Sequence, residues 1–432
     1  MENLRVIADL HIHSRFSRAT SKRINIQEIS RFAKIKGLNL VSTGDFTHPQ
    51  WWKELQEDLV EVPNTGLFKS TKTANSTYFM ITSEVSTIFI FRGKTKKIHH
   101  VILTPNFETA TQINDRLARF GDLSLDGRPT LEMTAPHLVE EVMAVSADNE
   151  VIPAHAWTPW FSLFGAFSGF DKIEDCYQDM TKHIHTLETG LSSDPPMNWR
   201  LSALDKFTLV SNSDSHSCWP WRIGREANVF DLEQLTYKEV VDTLRKKDPR
   251  RFKFTIETNP AYGKYHWTGH RSCNVSMPPQ EAIKFGNLCP VCRRRLTKGV
   301  EQRVEELADR PAGFKPQNGI GYIHLLPLSE IIATVLDSSS PSVQSVWSVY
   351  NSLIAMFGNE YMVLIDASRE ELCKVVDPKI AEAVVRVREG MAKVIPGYDG
   401  VYGQLNLFEE EKVEAKVSRV PQRSLTEWCS QT

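Results

Sequence analysis

Short apolar runs recur through the first half of the chain, and each meets a His, Asp or Glu at or near its end. Leu4, Val6 and Ile7 open a β-rich run that leads into His11 and His13. These histidines are two residues apart, so an extended strand carries both to the same side, where they can grip one ion. The run from Leu38 to Thr43 leads to Asp45, and that from Tyr78 to Ser83 leads to Glu84. His99 and His100 precede Val101, Ile102 and Leu103. His155 follows Val151 to Ala154, Glu188 follows Ile184 to Leu187, and Asp214 and His216 follow Phe207 to Ser213. In a parallel α/β barrel the carboxyl ends of the strands share one face, and catalytic groups collect there. Repetition in order is hard to reconcile with solvated loops, so the pattern predicts a metal site. His99 and His100 point oppositely on a strand, so only one of them should be a ligand.

Helical stretches at 26–36 and 135–147 alternate with these strands up to about residue 235, the β-α rhythm of a barrel or layered α/β fold. Residues 236–258 read as a connector. After His155 comes an aromatic, Gly-bearing loop with Trp157, Trp160, Phe161, Phe164, Phe167 and Phe170. It is long for a link between elements, and a loop of this kind beside a metal site is a candidate for function.

A second pattern starts near Asn259. Cys273 precedes Cys289-Pro290-Val291-Cys292, the spacing of a structural zinc site with a knuckle at each end. The fourth ligand is either His266 or His270. Lys264, Arg271, Lys284, Arg293, Arg294, Arg295 and Lys298 surround the site, with Glu281 as the one acidic residue between 261 and 300. Tyr262, Tyr265 and Trp267 interleave. Basic groups beside aromatics suit nucleic acid. From 301 to about 395 the apolar spacing of three and four predicts helices, at 334–357 and 369–393. The stretch 364–390 reads equally as a packed helical hairpin or as a DNA-backbone-binding helix-hairpin-helix turning at Val376-Asp377-Pro378-Lys379. From Glu409 a charged stretch without core residues predicts a mobile tail. It carries Gln422, Leu425 and Trp428, the spacing of a sliding-clamp binding peptide, with Cys429 where a second aromatic is more usual.

Composition narrows the class. The 432 residues are 41% hydrophobic and 24% charged, with seven cysteines and a net charge of −2. This is a globular, multidomain composition without a membrane window or signal peptide. The odd, unevenly spaced cysteines argue for a reducing, cytoplasmic setting and a metal cluster, not a disulfide framework. A near-neutral balance leaves any nucleic-acid contact to local patches.

The barrel motifs at 9–14, 42–49, 153–160, 187–194 and 211–226 resemble the PHP (polymerase and histidinol phosphatase) superfamily. With those at 261–273, 289–292, 299–311 and 396–403 they resemble, more closely, the endonuclease Q family of archaeal repair nucleases. That resemblance implies a distorted (β/α)7 barrel followed by a zinc finger and a helical DNA-binding domain. It implies metal-dependent cleavage 5′ to deaminated bases (uracil, hypoxanthine, xanthine) or abasic sites. It also implies a structural zinc and divalent ions in the active site: zinc, or magnesium or manganese. Damaged DNA and a sliding clamp are the implied partners.

His11, His13, Glu84 and Asp214 are then expected to hold one ion. Asp45, His99, His155 and His216 would hold others, with His99 chosen over His100 by the resemblance. Glu84 is the expected bridge, and Asp214, Glu84 and His155 the expected catalytic groups. Asp9 and Glu188 would orient ligands. The finger would use His270 with Cys273, Cys289 and Cys292. Trp157 and Trp160 would stack a flipped base, and Arg271, Arg293, Arg294 and Arg295 would contact DNA. Where many superfamily members have Thr-Asp-His, this chain has Gly44-Asp45-Phe46, which leaves the ion count open. Two other classes fit fewer of these features. A small-molecule phosphatase needs neither finger nor clamp peptide, and a DNA-binding scaffold has no use for aligned ligands.

Overall fold

Two flat facts about the first strand set the architecture. Leu4–Asp9 is exposed at its start and buried over its last four residues, and it pairs on both sides. In this computed structural model, which describes residues 3–74 and 76–408, it lies parallel to Leu40–Ser42 and antiparallel to Ala227–Leu232. Leu40–Ser42 pairs in parallel with Tyr78–Phe91, which folds back through Arg92-Gly93 onto Lys94–Thr104. Both turn residues have positive φ (48° and 73°), as a tight hairpin with right-handed strand twist requires. Lys94–Thr104 then pairs antiparallel with Glu150–Pro153. Thr186–Glu188 and Thr208–Val210 pair in parallel with each other. Ala156 N–H donates to Glu188 O (2.8 Å), and Ile12 bridges Ser215 in parallel, so this pair is stitched to both ends of the preceding run. Most of these strands are short and buried on both faces, which is why they read as unbroken apolar runs.

The fold is mixed α/β, and its sheet differs from the expected alternation in two ways. It contains antiparallel pairs, and it continues past residue 235. Phe252–Glu257 pairs with Ala227–Leu232, and Gly321–His324 extends the sheet again. The helix Tyr237–Lys246 buries Val240, Val241 and Leu244 beneath it. What read as a connector is thus part of the sheet. The charged turn from Lys246 to Arg251 masked the short strand that follows it.

The helical region is also more broken than its periodicity predicts. Leu328–Val335 and Gln344–Phe357 are separated at Ser338-Ser339-Ser340-Pro341. Arg369–Leu372 and Pro378–Arg388 are separated by Pro378, which sits at the helix start with Asp377 capping Lys379 N–H. Lys393 leaves the helix for a strand, Lys393–Ile395, paired antiparallel with Gln404–Asn406.

These helices are bound to the sheet layer by buried polar contacts. Lys36 and Glu360 are buried at 1% and 0% exposure, with Nζ 2.7 Å from Oε1. Lys36 Nζ also donates to Pro220 O (2.9 Å). Glu360 accepts from Leu328 N–H (2.9 Å) and Tyr350 OH (2.8 Å). Next to it, Tyr361 OH donates to Gly224 O. No helix among the described residues is long and apolar enough to cross a membrane. Gln422, Leu425 and Trp428 lie outside the described residues.

Candidate metal centre and cysteine knuckle

The ligand-bearing residues sit where the strands end, and the backbone there is unusual. Asp45, His155 and Asp214 each follow a short buried strand and adopt positive φ (50°, 31° and 46°). For residues other than glycine this region is sparsely populated and tends to mark functional sites. Gly44 (φ 62°) makes one of these turns possible, since a Cβ there would lie 2.3 Å from Ile12 O.

Two groups of ligand atoms result, each with all its atoms within 4.8 Å of one another. The first is His11, His13, Glu84 and Asp214; the second is Glu84, His99 and His155. Glu84 belongs to both. Its Oε2 lies 3.1 Å from His13 Nε2, and its Oε1 lies 2.8 Å from His99 Nδ1 and 3.1 Å from His155 Nε2. The outer nitrogens are held from behind. His11 Nδ1 meets Glu188 Oε1 at 3.0 Å, and His13 Nδ1 meets Asp45 Oδ1 at 2.9 Å. His155 Nδ1 meets Thr158 Oγ1 at 3.0 Å. Backing partners of this kind fix ring orientation and raise ligand basicity. His11 Nε2, His13 Nε2 and Asp214 Oδ1 are buried without a hydrogen bond. Such atoms are costly unless a partner enters between them. Histidine and carboxylate donors converging in this way fit a pair of divalent cations.

Charge supports the same reading. Burial opposes a charged His11, but the carboxylates of Glu188 and Glu84 outweigh it and raise its pKa well above the usual imidazole range. His13 is raised likewise against burial, by Asp45 and Asp214. Burial also opposes a charged Glu84, yet the Arg128 guanidinium and the His11 ring hold its carboxyl well below the usual range. Burial brings His99 down to about 4, a neutral ring with a lone pair to give.

The placement of the other predicted residues is mixed. His100 turns away from the centre, between Thr87 Oγ1 (2.9 Å) and Tyr177 OH (2.9 Å). Asp45 joins neither group, because it holds His13 from behind while accepting from Ser14 N–H and Ser17 Oγ. His216 is also outside both groups; it stands at the mouth with Nε2 3.5 Å from Asp214 Oδ1. Asp9 accepts from the N–H groups of Ser213 (3.0 Å) and Gly224 (2.8 Å), fixing the turn that carries Asp214. Trp157 does not face the site. It is fully buried, donates to Asn198 Oδ1 (2.8 Å) and packs on Phe164, so it cannot stack a base. Trp160 is exposed. Arg128, which the sequence did not single out, places its guanidinium 3.1 Å from Glu84 Oε2. It sits in an irregular loop, where neither periodicity nor ligand spacing points to it.

Gly127 offers a test of the backing layer. A Cβ there would lie 2.2 Å from Asp45 Oδ2 and 2.3 Å from Ser17 Oγ. Gly127→Ala should displace Asp45 from His13 and weaken metal binding about 10- to 100-fold, read by calorimetric titration. Unaltered affinity would show that Asp45 does not set His13.

The second site is built from a hairpin, Thr268–His270 with Val275–Met277, and the Cys289–Cys292 turn. His270, Cys273, Cys289 and Cys292 have their ligand atoms within 4.8 Å of one another. His266 is apart, with Nε2 3.5 Å from Glu301 Oε2. Met277, Ala282, Cys289 and Leu296 make a core too small to hold this segment without help. Three thiols and an imidazole at this spacing fit tetrahedral zinc. Arg293, Arg294 and Arg295 are exposed beside it.

Comparison with known proteins now bears on the site. Residues 327–391 match the family model described as the MJ0043 C-terminal domain. The chain is 35% identical over 267 residues to the uncharacterized protein MJ0043 of Methanocaldococcus jannaschii, and the match covers 60% of this chain but 32% of that one. It is similar to the crystal structure of the lesion-specific endonuclease PfuEndoQ of Pyrococcus furiosus, with 33% identity and a TM-score of 0.84 over 96% of this chain and 99% of that one. It is equally similar to endonuclease Q in complex with a 27-mer duplex bearing an abasic lesion at the active site, with 33% identity and a TM-score of 0.83 over 95% and 99%. The fold and the site together define a metal-dependent DNA endonuclease of the repair class. The chain belongs to the endonuclease Q family.

Proposed function

We propose that this enzyme incises DNA on the 5′ side of a deaminated or abasic nucleotide, at a two-ion centre built around Glu84. The single observation behind this reading is that one carboxylate serves two ligand groups, with Oε2 toward His13 and Oε1 toward His99 and His155. Paired cations there would generate a nucleophile from water near neutral pH and neutralise charge on the phosphodiester. His11, His13, Glu84 and Asp214 would hold one, and Glu84, His99 and His155 the other. Glu188 and Asp45 keep His11 and His13 turned inward. Arg128, charged and close to Glu84, is placed to orient a phosphate. His216, at the mouth beside Asp214, is placed to pass a proton to the leaving oxygen. The donor set suits zinc or manganese better than magnesium, since imidazoles are numerous.

We read seven strands, Leu4–Asp9, Leu40–Ser42, Tyr78–Phe91, Lys94–Thr104, Glu150–Pro153, Thr186–Glu188 and Thr208–Val210, as a distorted PHP-type barrel, stitched by Ala156 to Glu188 and Ile12 to Ser215. The finger at 259–300 and the helices beyond it serve as DNA-binding modules in this reading. Its exposed arginines would contact phosphates, and Gln422, Leu425 and Trp428 would engage a sliding clamp. The relative with an abasic lesion at its active site supports the substrate class.

The test is incision of end-labelled duplexes containing uracil, hypoxanthine, an abasic site or no lesion, before and after chelation and with metals restored. Incision 5′ to the lesion, lost with chelator and regained with zinc or manganese, is the expected result. Equal cutting of undamaged DNA, or turnover of phosphate monoesters alone, would replace this reading with a general phosphoesterase.

A further inference from the structure

A line of exposed and half-buried rings crosses the surface beside the metal centre. Trp160 and Phe167 are 43% and 50% exposed, yet they stack face to face at 4.9 Å with planes 15° from parallel. Tyr265 meets Trp160 edge-on at 5.5 Å. The Lys264 ammonium lies 5.8 Å from the Tyr265 ring and 5.5 Å from the Tyr402 ring. Tyr402 is 52% exposed, with its ring 6.4 Å from that of Tyr262. Three segments distant in sequence therefore contribute to one row: the loop after His155, the start of the finger and the 397–403 loop.

The row is anchored at both ends. Thr158 Oγ1 sits 3.0 Å from His155 Nδ1 and donates to Trp160 O (3.1 Å). The Phe161 ring, next in sequence, lies 4.8 Å from that of His99. At the far end Gly400 N–H donates to Lys264 O (2.8 Å) and Gly403 N–H to Tyr262 O (3.0 Å). Asp399 accepts from Arg271 N–H (2.7 Å). The segments that carry the rings are thus tied down, and a ligand meeting them loses little to ordering the backbone.

The chemistry of the row selects its ligand. An apolar partner would favour a continuous greasy patch, but here an ammonium stands between rings, and the finger also exposes Arg271, Arg293, Arg294 and Arg295. Ring faces alternating with cations match bases alternating with phosphates. Bases in a duplex have covered faces, whereas unpaired bases do not. We infer that Trp160, Phe167, Tyr265, Lys264 and Tyr402 form a stacking track for unpaired nucleotides flanking the incised position. This rests on the nuclease reading above and adds a preference for locally single-stranded DNA beside the lesion.

The test uses the full chain with wild type, Tyr402→Ala and Phe167→Ala. Each is bound to short oligothymidylate and to lesion duplexes whose neighbouring nucleotides are paired or unpaired. Unpaired flanks should tighten wild-type binding at least about tenfold, and each substitution should remove about tenfold, the worth of one stacked base. Zinc content and unfolding midpoint check that both variants fold; the two substitutions lie at opposite ends, so a local loss at one leaves the other informative. Equal wild-type affinity for the two flanks, or unaltered binding by both variants, overturns the track. Wild type that cuts lesion DNA without flank preference sinks the track alone. Flank preference without lesion incision sinks the substrate reading and keeps the track.

Discussion

Glu84→Gln should lower incision of lesion-containing DNA by on the order of 10³-fold and strip metal from both ligand groups at once. Each oxygen of this buried carboxylate lies about one hydrogen bond from a different set of imidazoles, and Arg128 approaches from a third side. An amide keeps one weak acceptor and turns its NH2 toward either a ligand nitrogen or the Arg128 guanidinium. Toward a ligand nitrogen the NH2 occupies the lone pair that a cation needs, and toward Arg128 it leaves a donor facing a cation, in a site where water cannot compensate. Metal content by mass spectrometry and single-turnover incision would be measured together. Full occupancy with unimpaired incision would refute the shared-ligand geometry. Glu188→Gln makes a graded comparison, because Glu188 touches His11 only from behind. Its loss should be smaller, about 10- to 100-fold.

That contrast marks where the sequence was legible. Strand periodicity placed His11 and His13 on one side, and their rings lie 5.3 Å apart at the centre. Residues that end short apolar strands could be read as one constellation because strand ends bring distant positions together. The layering of that constellation could not be read. Asp45 and His216 look like ligands by type and position, and only side-chain direction shows that one backs His13 and the other stands at the mouth. Trp157 and Trp160 sit three residues apart in one loop, yet one is core and the other surface. A loop has no period, so nothing in its sequence separates them. Arg128 had no signal for the same reason. In the finger, spacing named three cysteines, but choosing His270 over His266 needed the turn of the hairpin.

The same limit hid how firmly the C-terminal helices are tied to the catalytic layer, which leads to the largest stability effect expected here. Glu360→Ala would leave the Lys36 ammonium unpaired at 1% exposure, with Pro220 O as its remaining partner. Removing one member of a buried ion pair costs about 3–5 kcal/mol. Here Leu328 N–H and Tyr350 OH lose their acceptor as well, so the upper part of that range is expected. Replacing both members together, Lys36→Met with Glu360→Leu, should recover the part of the loss that comes from the stranded charge, while Leu328 N–H and Tyr350 OH stay without their acceptor. The effect should also reach the metal centre. Tyr361, adjacent to Glu360, donates to Gly224 O, and Gly224 N–H in turn holds Asp9, which fixes Ser213 and so the turn bearing Asp214. Denaturant midpoints and metal affinity should therefore fall together in Glu360→Ala and recover together in the double substitution. A lowered midpoint with unaltered metal affinity would mean that the helices brace the fold without setting the site. An unaltered midpoint would mean that Lys36 finds water or another acceptor, and the buried pair would lose its assigned role.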